Sequence, residues 1–429
     1  MSTPATAKNR WLIAASAMLI HLSIGSVYAY SVYQRPLQET QGWSIADVTL
    51  GFTVAIFTLG MSTALLGRYV ERYGPRVSGT AAAVTFASGT VLAGVAVEYG
   101  SHVGFVLTYG LVAGVGLGLG YISPISTLVK WFPDRRGLAT GLAVMGFGAG
   151  ALVTGPVANW LIVTTSIPTT LYVLGTGYFV AMVAGATYLE KPPEGWVPEG
   201  IDPDDVVETD SHGVIVASDL EQRTAREALR TPQFYLVWLI VFINISAGIM
   251  LLSVASNMTQ AITGASAAVA ATVVGLIGVF NGAGRIVWSS LSDYLGRTTT
   301  YGVFFVVQIG AFLALPRLTT VPLFAGAMFL IITCYGGGFA CLPAYLADLF
   351  GTQELGAIHG YTLTAWSMAG IAGPTLVARI VELTGGYELA FYVVAGALTV
   401  GLGCVGLLRW RVAVVREAQL HGTPHGTRR

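Results

Sequence analysis

Twelve apolar runs divide this chain, each about 20 residues or longer and able to cross a bilayer as a helix. They fall near 11–34, 45–66, 77–97, 103–129, 136–163, 168–189, 234–257, 265–292, 299–319, 322–347, 355–380 and 387–410. Composition agrees: 54% of residues are hydrophobic and only 10% charged, against about 25% charged in soluble domains. The 54 glycines suit closely packed transmembrane helices. The expected fold class is therefore an all-α membrane protein. The polar, short 1–10 segment has no small-residue cleavage signal after 11–20, so that run reads as the first span rather than a removable leader.

One long polar segment, 190–230, separates six runs from six. It holds 11 of the 22 acidic residues and four prolines, Pro192, Pro193, Pro198 and Pro203. Its first part reads as a flexible linker, and 219–229 as a short amphipathic surface helix. The domains expected are a six-helix bundle over 1–189, a linker over 190–230 and a second bundle with a C-terminal tail over 231–429. An even number of spans puts both termini on one side. That side carries 18 of the 22 Lys and Arg residues, with Arg35, Arg317 and Arg379 towards the other. The positive-inside rule makes it the cytoplasm, in a plasma or inner membrane.

The two halves echo each other. Glu71, in the turn after the second run, and Asp293, after the eighth, are displaced by 222 positions; Pro124 and Pro343 by 219; Gly155-Pro156 and Gly373-Pro374 by 218. Such near-equal offsets identify a tandem repeat of two pseudo-symmetric six-helix units. Transporters built this way place their substrate site between the repeats near the midplane.

Arg285 is the residue that points to cargo. It lies in 265–292, which carries no other charge, and the next charge, Asp293, is eight residues on, about 12 Å along a helix. That is deep for snorkelling, and a guanidinium there costs about 3 kcal/mol. No Asp or Glu in the sequence lies at membrane depth to pair with it, which suggests that an anion does; an arginine paired to another helix or to carbonyls is the alternative. Asn281, four residues earlier, shares its helix face. A guanidinium offers a planar fork to a carboxylate, and a nearby amide completes the hydrogen bonding.

The acid-x-x-Gly-basic turns Glu71-Arg72-Tyr73-Gly74-Pro75-Arg76 and Asp293-Tyr294-Leu295-Gly296-Arg297, in a six-plus-six frame, resemble the signature of the major facilitator superfamily. A narrower resemblance, to the oxalate/formate antiporters related to monocarboxylate transporters, rests on further motifs. They are Gly42-Trp43-Ser44, Tyr121-Ile-Ser-Pro124 running to Lys130-Trp-Phe-Pro-Asp-Arg-Arg-Gly137, Gly146-x-Gly148-x-Gly150 and Thr364-Ala365-Trp366. The resemblance implies the major facilitator fold and a carboxylate on Arg285. In animal monocarboxylate carriers the position four before that arginine is an aspartate implicated in proton coupling; here it is Asn281.

The same turns supply a candidate cytoplasmic gate. Gly67 permits close approach of a neighbouring helix, and Glu71 can pair with Arg72 and Arg76. Such pairs are individually weak, which suits a latch that opens each cycle, and the resemblance implies that they stabilise the outward-open state. A topology signal without a gating role is the alternative. Asp293 and Arg297 form the second copy, with Ser289 where the first has Gly67. Gly114, Gly116, Gly118 and Gly120 read as packing surfaces, since a phosphate loop needs a Lys-Ser/Thr and a strand.

Tyr28, Tyr121, Tyr335 and Trp366 are the polar aromatic candidates for substrate contact, their hydroxyls bonding the cargo and their rings enclosing its apolar part. Packing against neighbouring helices is the alternative for each. His21 reads as a helix–helix hydrogen-bonding residue, with proton carriage as the alternative, and Asn244 and Gln308 as interhelical bond formers. The family's oxalate carriers use a second cation, a lysine in the eleventh helix, where this chain has Trp366. One buried positive charge matches one carboxylate, so a small monocarboxylate such as lactate, pyruvate or formate is expected over oxalate. Antiport of the oxalate/formate type and a non-transporting anion sensor are the alternatives. No nucleophile–base set, nucleotide loop or metal cluster points to an enzyme or a cofactor, and zero net charge gives no face for nucleic acid. The partners expected are the carboxylate, lipid and, for symport, protons; a monomer suffices.

Overall fold

The computed structural model describes residues 8–193, 196, 198 and 222–420. Among these there is no strand. Ten helical stretches are long and apolar enough to cross a membrane. The Leu50–Glu98 stretch, 49 residues long, covers two of the runs read from the sequence. The 355–380 run corresponds to the 30-residue helix Leu355–Thr384.

The helices, in chain order, are α1 (Arg10–Ile24), α2 (Ser31–Gln41), α3 (Ile45–Glu98), α4 (His102–Phe105), α5 (Ala113–Trp131), α6 (Arg136–Thr164) and α7 (Ile167–Tyr188). They continue with α8 (Ala225–Ala228), α9 (Pro232–Thr263), α10 (Ala267–Leu295), α11 (Arg297–Ala314), α12 (Val321–Phe350), α13 (Leu355–Thr384) and α14 (Glu388–Leu420). A 3₁₀ segment, Gly25–Ala29, joins α1 to α2, so the first helical run goes on to Gln41 rather than stopping near 34. A π-helical segment, Val106–Val112, joins α4 to α5.

Helix starts follow cap chemistry. The Ser44 hydroxyl accepts from the Asp47 N–H while Asp47 accepts from the Ser44 backbone, satisfying two otherwise orphaned donors. Ser166, Thr231 and Ser266 cap α7, α9 and α10 in the same sense, the first two with proline in the opening turn. The expected 219–229 helix is shorter: α8 spans four residues, started by the Thr224–Glu227 capping box. Residues 219–221 and most of the 190–230 linker lie outside the described residues.

Two glycines break the chain at equivalent places. Gly74 (φ 82°) interrupts α3 before Pro75, and Gly296 (φ 80°) separates α10 from α11. Each is the glycine of an acid-x-x-Gly turn. A side chain at these φ values is strained, so the repeat seen in sequence is a repeat of backbone geometry.

The chain forms two compact units. One comprises residues up to Glu208 with Thr352–Ser367; the other comprises Thr209–Gly351 with Met368–Arg429. The first half of α13 thus groups with the first unit, because glycines remove the space between helices. A Cβ on Gly67 would lie 2.3 Å from the Gly356 carbonyl oxygen, and one on Gly360 would lie 2.0 Å from that of Thr63. Within this unit, Gly114 and Gly118 of α5 meet Thr58 and Ser62 of α3, and Gly116 meets the Phe86 backbone. In the second unit, Gln308 donates to Asn244 at 2.7 Å, tying α11 to α9.

Candidate functional site

Arg285 lies on α10 in the second unit, 1% exposed. Its Nε donates to Asn281 Oδ1 at 3.2 Å, one turn earlier. This orients the guanidinium plane from within its own helix. The arginine's backbone carbonyl accepts from Ser289 at 2.5 Å. Ser289, which stands where the first repeat has Gly67, therefore secures the arginine's own turn.

Two glycines close α12 against α10 around this arginine. A Cβ on Gly336 would lie 2.7 Å from Asn281 Oδ1 and 3.2 Å from Arg285 Cγ; one on Gly284 would lie 2.4 Å from the Thr333 carbonyl oxygen. α12 also brings Phe339, whose ring centroid is 5.6 Å from the guanidinium carbon, a cation–π distance. Tyr335 stands edge-on to Phe339 at 5.3 Å and packs against Gly248 of α9. Arg285, Asn281, Phe339 and Tyr335 thus form a linked set in one unit. Gly336 and Phe339 were missed from the sequence. The only available signal was the Gly336-Gly337-Gly338 run and the spacing of Phe339 four residues after Tyr335.

Tyr28, Tyr121 and Trp366 come together in the other unit. Tyr121 is 1% and Trp366 3% exposed, with ring centroids 5.9 Å apart. Phe147 of α6 stands edge-on to both Tyr28 and Tyr121 at 5.0 and 5.5 Å. His21 stacks on Tyr121 at 5.3 Å, and His359 of α13 lies 6.0 Å from the Tyr121 ring. Phe147 and the two histidines complete an aromatic cluster that the four separate candidates did not disclose.

The residues expected to form a cytoplasmic gate are paired differently from the sequence expectation. Glu71 bonds Lys130 at 2.6 Å and lies 3.5 Å from Lys191. It also accepts from the Gly356 N–H at 3.0 Å. Arg76 pairs with Glu190 at 3.5 Å, and Arg72 lies over the Tyr73 ring. In the second copy, Arg297 pairs with Asp293 at 2.5 Å and Asp348 at 3.3 Å and also donates to Ser292.

With this geometry in view, the sequence profile of the Major Facilitator Superfamily matches residues 13–374 and, a second time, 237–424. The chain belongs to that superfamily. It is an integral, multi-pass membrane transporter, and its fold and relatives are those of transporters rather than enzymes. It is 27% identical over 396 residues to the oxalate:formate antiporter of Oxalobacter formigenes, covering 90% of this chain and 88% of that one. It is 24% identical over 332 residues to monocarboxylate transporter 12 of Homo sapiens, covering 73% and 64%. Among solved structures it resembles the E. coli fucose:proton symporter FucP with a TM-score of 0.69 at 14% identity, covering 92% and 99%.

Proposed function

We propose that this transporter carries a small monocarboxylate of the lactate, pyruvate or formate class by alternating access, with Arg285 binding the carboxylate. One observation carries the reading: a guanidinium 1% exposed in an apolar helix, its plane set by Asn281 on the Nε edge. A guanidinium is a planar fork suited to bidentate bonding of a carboxylate. The similarity to an oxalate:formate antiporter and to a monocarboxylate transporter supports a carboxylate cargo. Tyr335 belongs to the Arg285 cluster, and Tyr28, Tyr121 and Trp366 are proposed as further substrate contacts.

The charge count favours one carboxylate over two. α13 contains no lysine, and its Arg379 is engaged by Glu382 at 2.7 Å on an exposed surface. α13 therefore offers an oxalate-type dianion no lysine to complement Arg285. Gly67, Glu71, Arg72, Arg76, Asp293 and Arg297 are proposed to gate the cytoplasmic side, with Lys130 as the principal partner of Glu71. The bundles are proposed to be residues 1–189 and 231–429, joined by the 190–230 linker on the cytoplasmic side.

The test is uptake of labelled L-lactate into proteoliposomes, with unlabelled pyruvate, formate and oxalate as competitors. Lactate uptake inhibited by pyruvate and formate more strongly than by oxalate supports the reading. Uptake inhibited best by oxalate supports the dicarboxylate alternative. Saturable lactate binding without any flux would identify an anion sensor.

A further inference from the structure

We infer that His21 is a proton-binding site of the carrier, held as an imidazolium between two backbone carbonyls and stacked on Tyr121. His21 is fully buried on α1. Its Nδ1 lies 2.8 Å from the Ala143 carbonyl oxygen on α6, and its Nε2 lies 3.0 Å from the Tyr121 carbonyl oxygen on α5. Both partners are acceptors only. A neutral imidazole has one N–H and one lone pair, so it satisfies one carbonyl and sets its lone pair against the other. The imidazolium has two N–H groups and satisfies both. Burial opposes the charge while the paired acceptors favour it, and a group under such opposed influences can take up and release a proton.

The surroundings fit this role. From α5 His21 faces Tyr121, stacked at an interplanar angle of 13°. Beyond that ring lies His359 of α13, its ring centroid 6.0 Å from that of Tyr121. Both His359 ring nitrogens lack a hydrogen-bond partner among the described residues. A proton between this pair is therefore better held by His21. From α6, Gly146 and Phe147 approach the histidine. α7 meets α1 through Gly185 against Ile20, and its Tyr178 bonds Ser26 beyond the end of α1. The basic groups at the start of α1 are engaged elsewhere, Lys8 by Glu190 and Arg10 by Asp134. The second carbonyl belongs to Tyr121, so a substrate that shifts this residue also shifts an acceptor of the proton. This linkage rests on the monocarboxylate reading; the proton site itself does not. One anion and one proton make an electroneutral cargo.

The experiment compares wild type with His21→Gln and His21→Asn, each as the full chain in proteoliposomes. Self-exchange of lactate, pyruvate and formate at equal pH tests the cargo, and net uptake under an inward gradient of one pH unit tests the proton, with protein-free vesicles subtracted. One-proton symport supports about tenfold accumulation under that gradient. Wild type is expected to approach it. The variants are expected to keep self-exchange within about twofold and lose accumulation. Accumulation by the variants equal to wild type, or a wild type that exchanges without answering the gradient, overturns the inference.

Absence of exchange for every anion strikes the cargo reading alone. The proton site is then decided by nitrogen NMR of histidine-labelled wild type in lipid nanodiscs. The expected result is an imidazolium signal, with two N–H groups, that disappears in His21→Gln and titrates between about pH 5 and 8. A neutral tautomer throughout that range overturns the inference. Should both variants misfold, a chain with every other histidine replaced carries His21 as its single imidazole for the same titration.

Discussion

Asn281 accepts from the Nε edge of Arg285, so if Arg285 binds the cargo as proposed, the chemistry of this amide should be felt in affinity. Asn281→Asp puts a carboxylate at the Nε edge and makes it a permanent competitor for the cargo. The expected result is a rise in the lactate KM of about tenfold or more at neutral pH, the scale of one charged hydrogen bond, read from initial uptake rates. An unchanged KM would detach the amide from recognition. This pair was legible in the sequence because a four-residue spacing on a helix fixes which side chains face each other. Phe339 and Gly336 were not, because α12 reaches the arginine only through tertiary packing. Glu71 shows the opposite failure. Arg72 is its immediate neighbour, which does not share its helix face, and the break at Gly74 separates it from Arg76. Lys130, 59 residues away in sequence, takes the carboxylate instead.

At the scale of elements, glycine decides which helices touch. A Cβ on Gly67 would meet Gly356 backbone atoms, with its carbonyl oxygen at 2.3 Å and its carbonyl carbon at 2.8 Å. Neither atom can swing aside as a flexible side chain can. Gly67→Ala is therefore expected to cost about 1–3 kcal/mol, seen as a Tm lower by a few degrees in detergent. A Tm equal to wild type would mean that this contact is dispensable. Capping adds a pH dependence at the start of α3. Hydrogen bonds from the Ser44 hydroxyl, then from its backbone N–H, hold the Asp47 carboxyl below the ordinary carboxylate range. Its contribution is thus complete above the unfolded pKa of about 4 and is lost as pH falls through the lower folded value. Amide exchange in the first turn of α3 should quicken on acidification in wild type more than in Asp47→Asn. The apolar runs located the long helices well, since each must bury or lipid-solvate its surface. They did not reveal that the first helical run continues to Gln41, past polar residues that carry no apolar signal, or that α8 occupies four residues.

For the whole molecule, the tandem repeat was legible because the duplicated turns retain both acid and glycine at one displacement. Gly74 and Gly296 adopt nearly the same positive φ. The grouping of Thr352–Ser367 with the first unit was not legible, because close helix packing leaves no local trace beyond scattered glycines. The distribution of Lys and Arg predicts a cytoplasmic C-terminus. A C-terminal green fluorescent protein fusion should fluoresce, while an alkaline phosphatase fusion at the same point should be inactive; the reverse pattern would invert the proposed topology. The central claim is that a buried guanidinium fork selects and binds the carboxylate that this transporter moves. Lactate self-exchange in proteoliposomes, wild type against Arg285→Lys at equal protein content, tests it most directly. The lysine keeps the charge and loses the fork, so the account predicts a fall of about tenfold to a hundredfold. Exchange at the wild-type rate would contradict it.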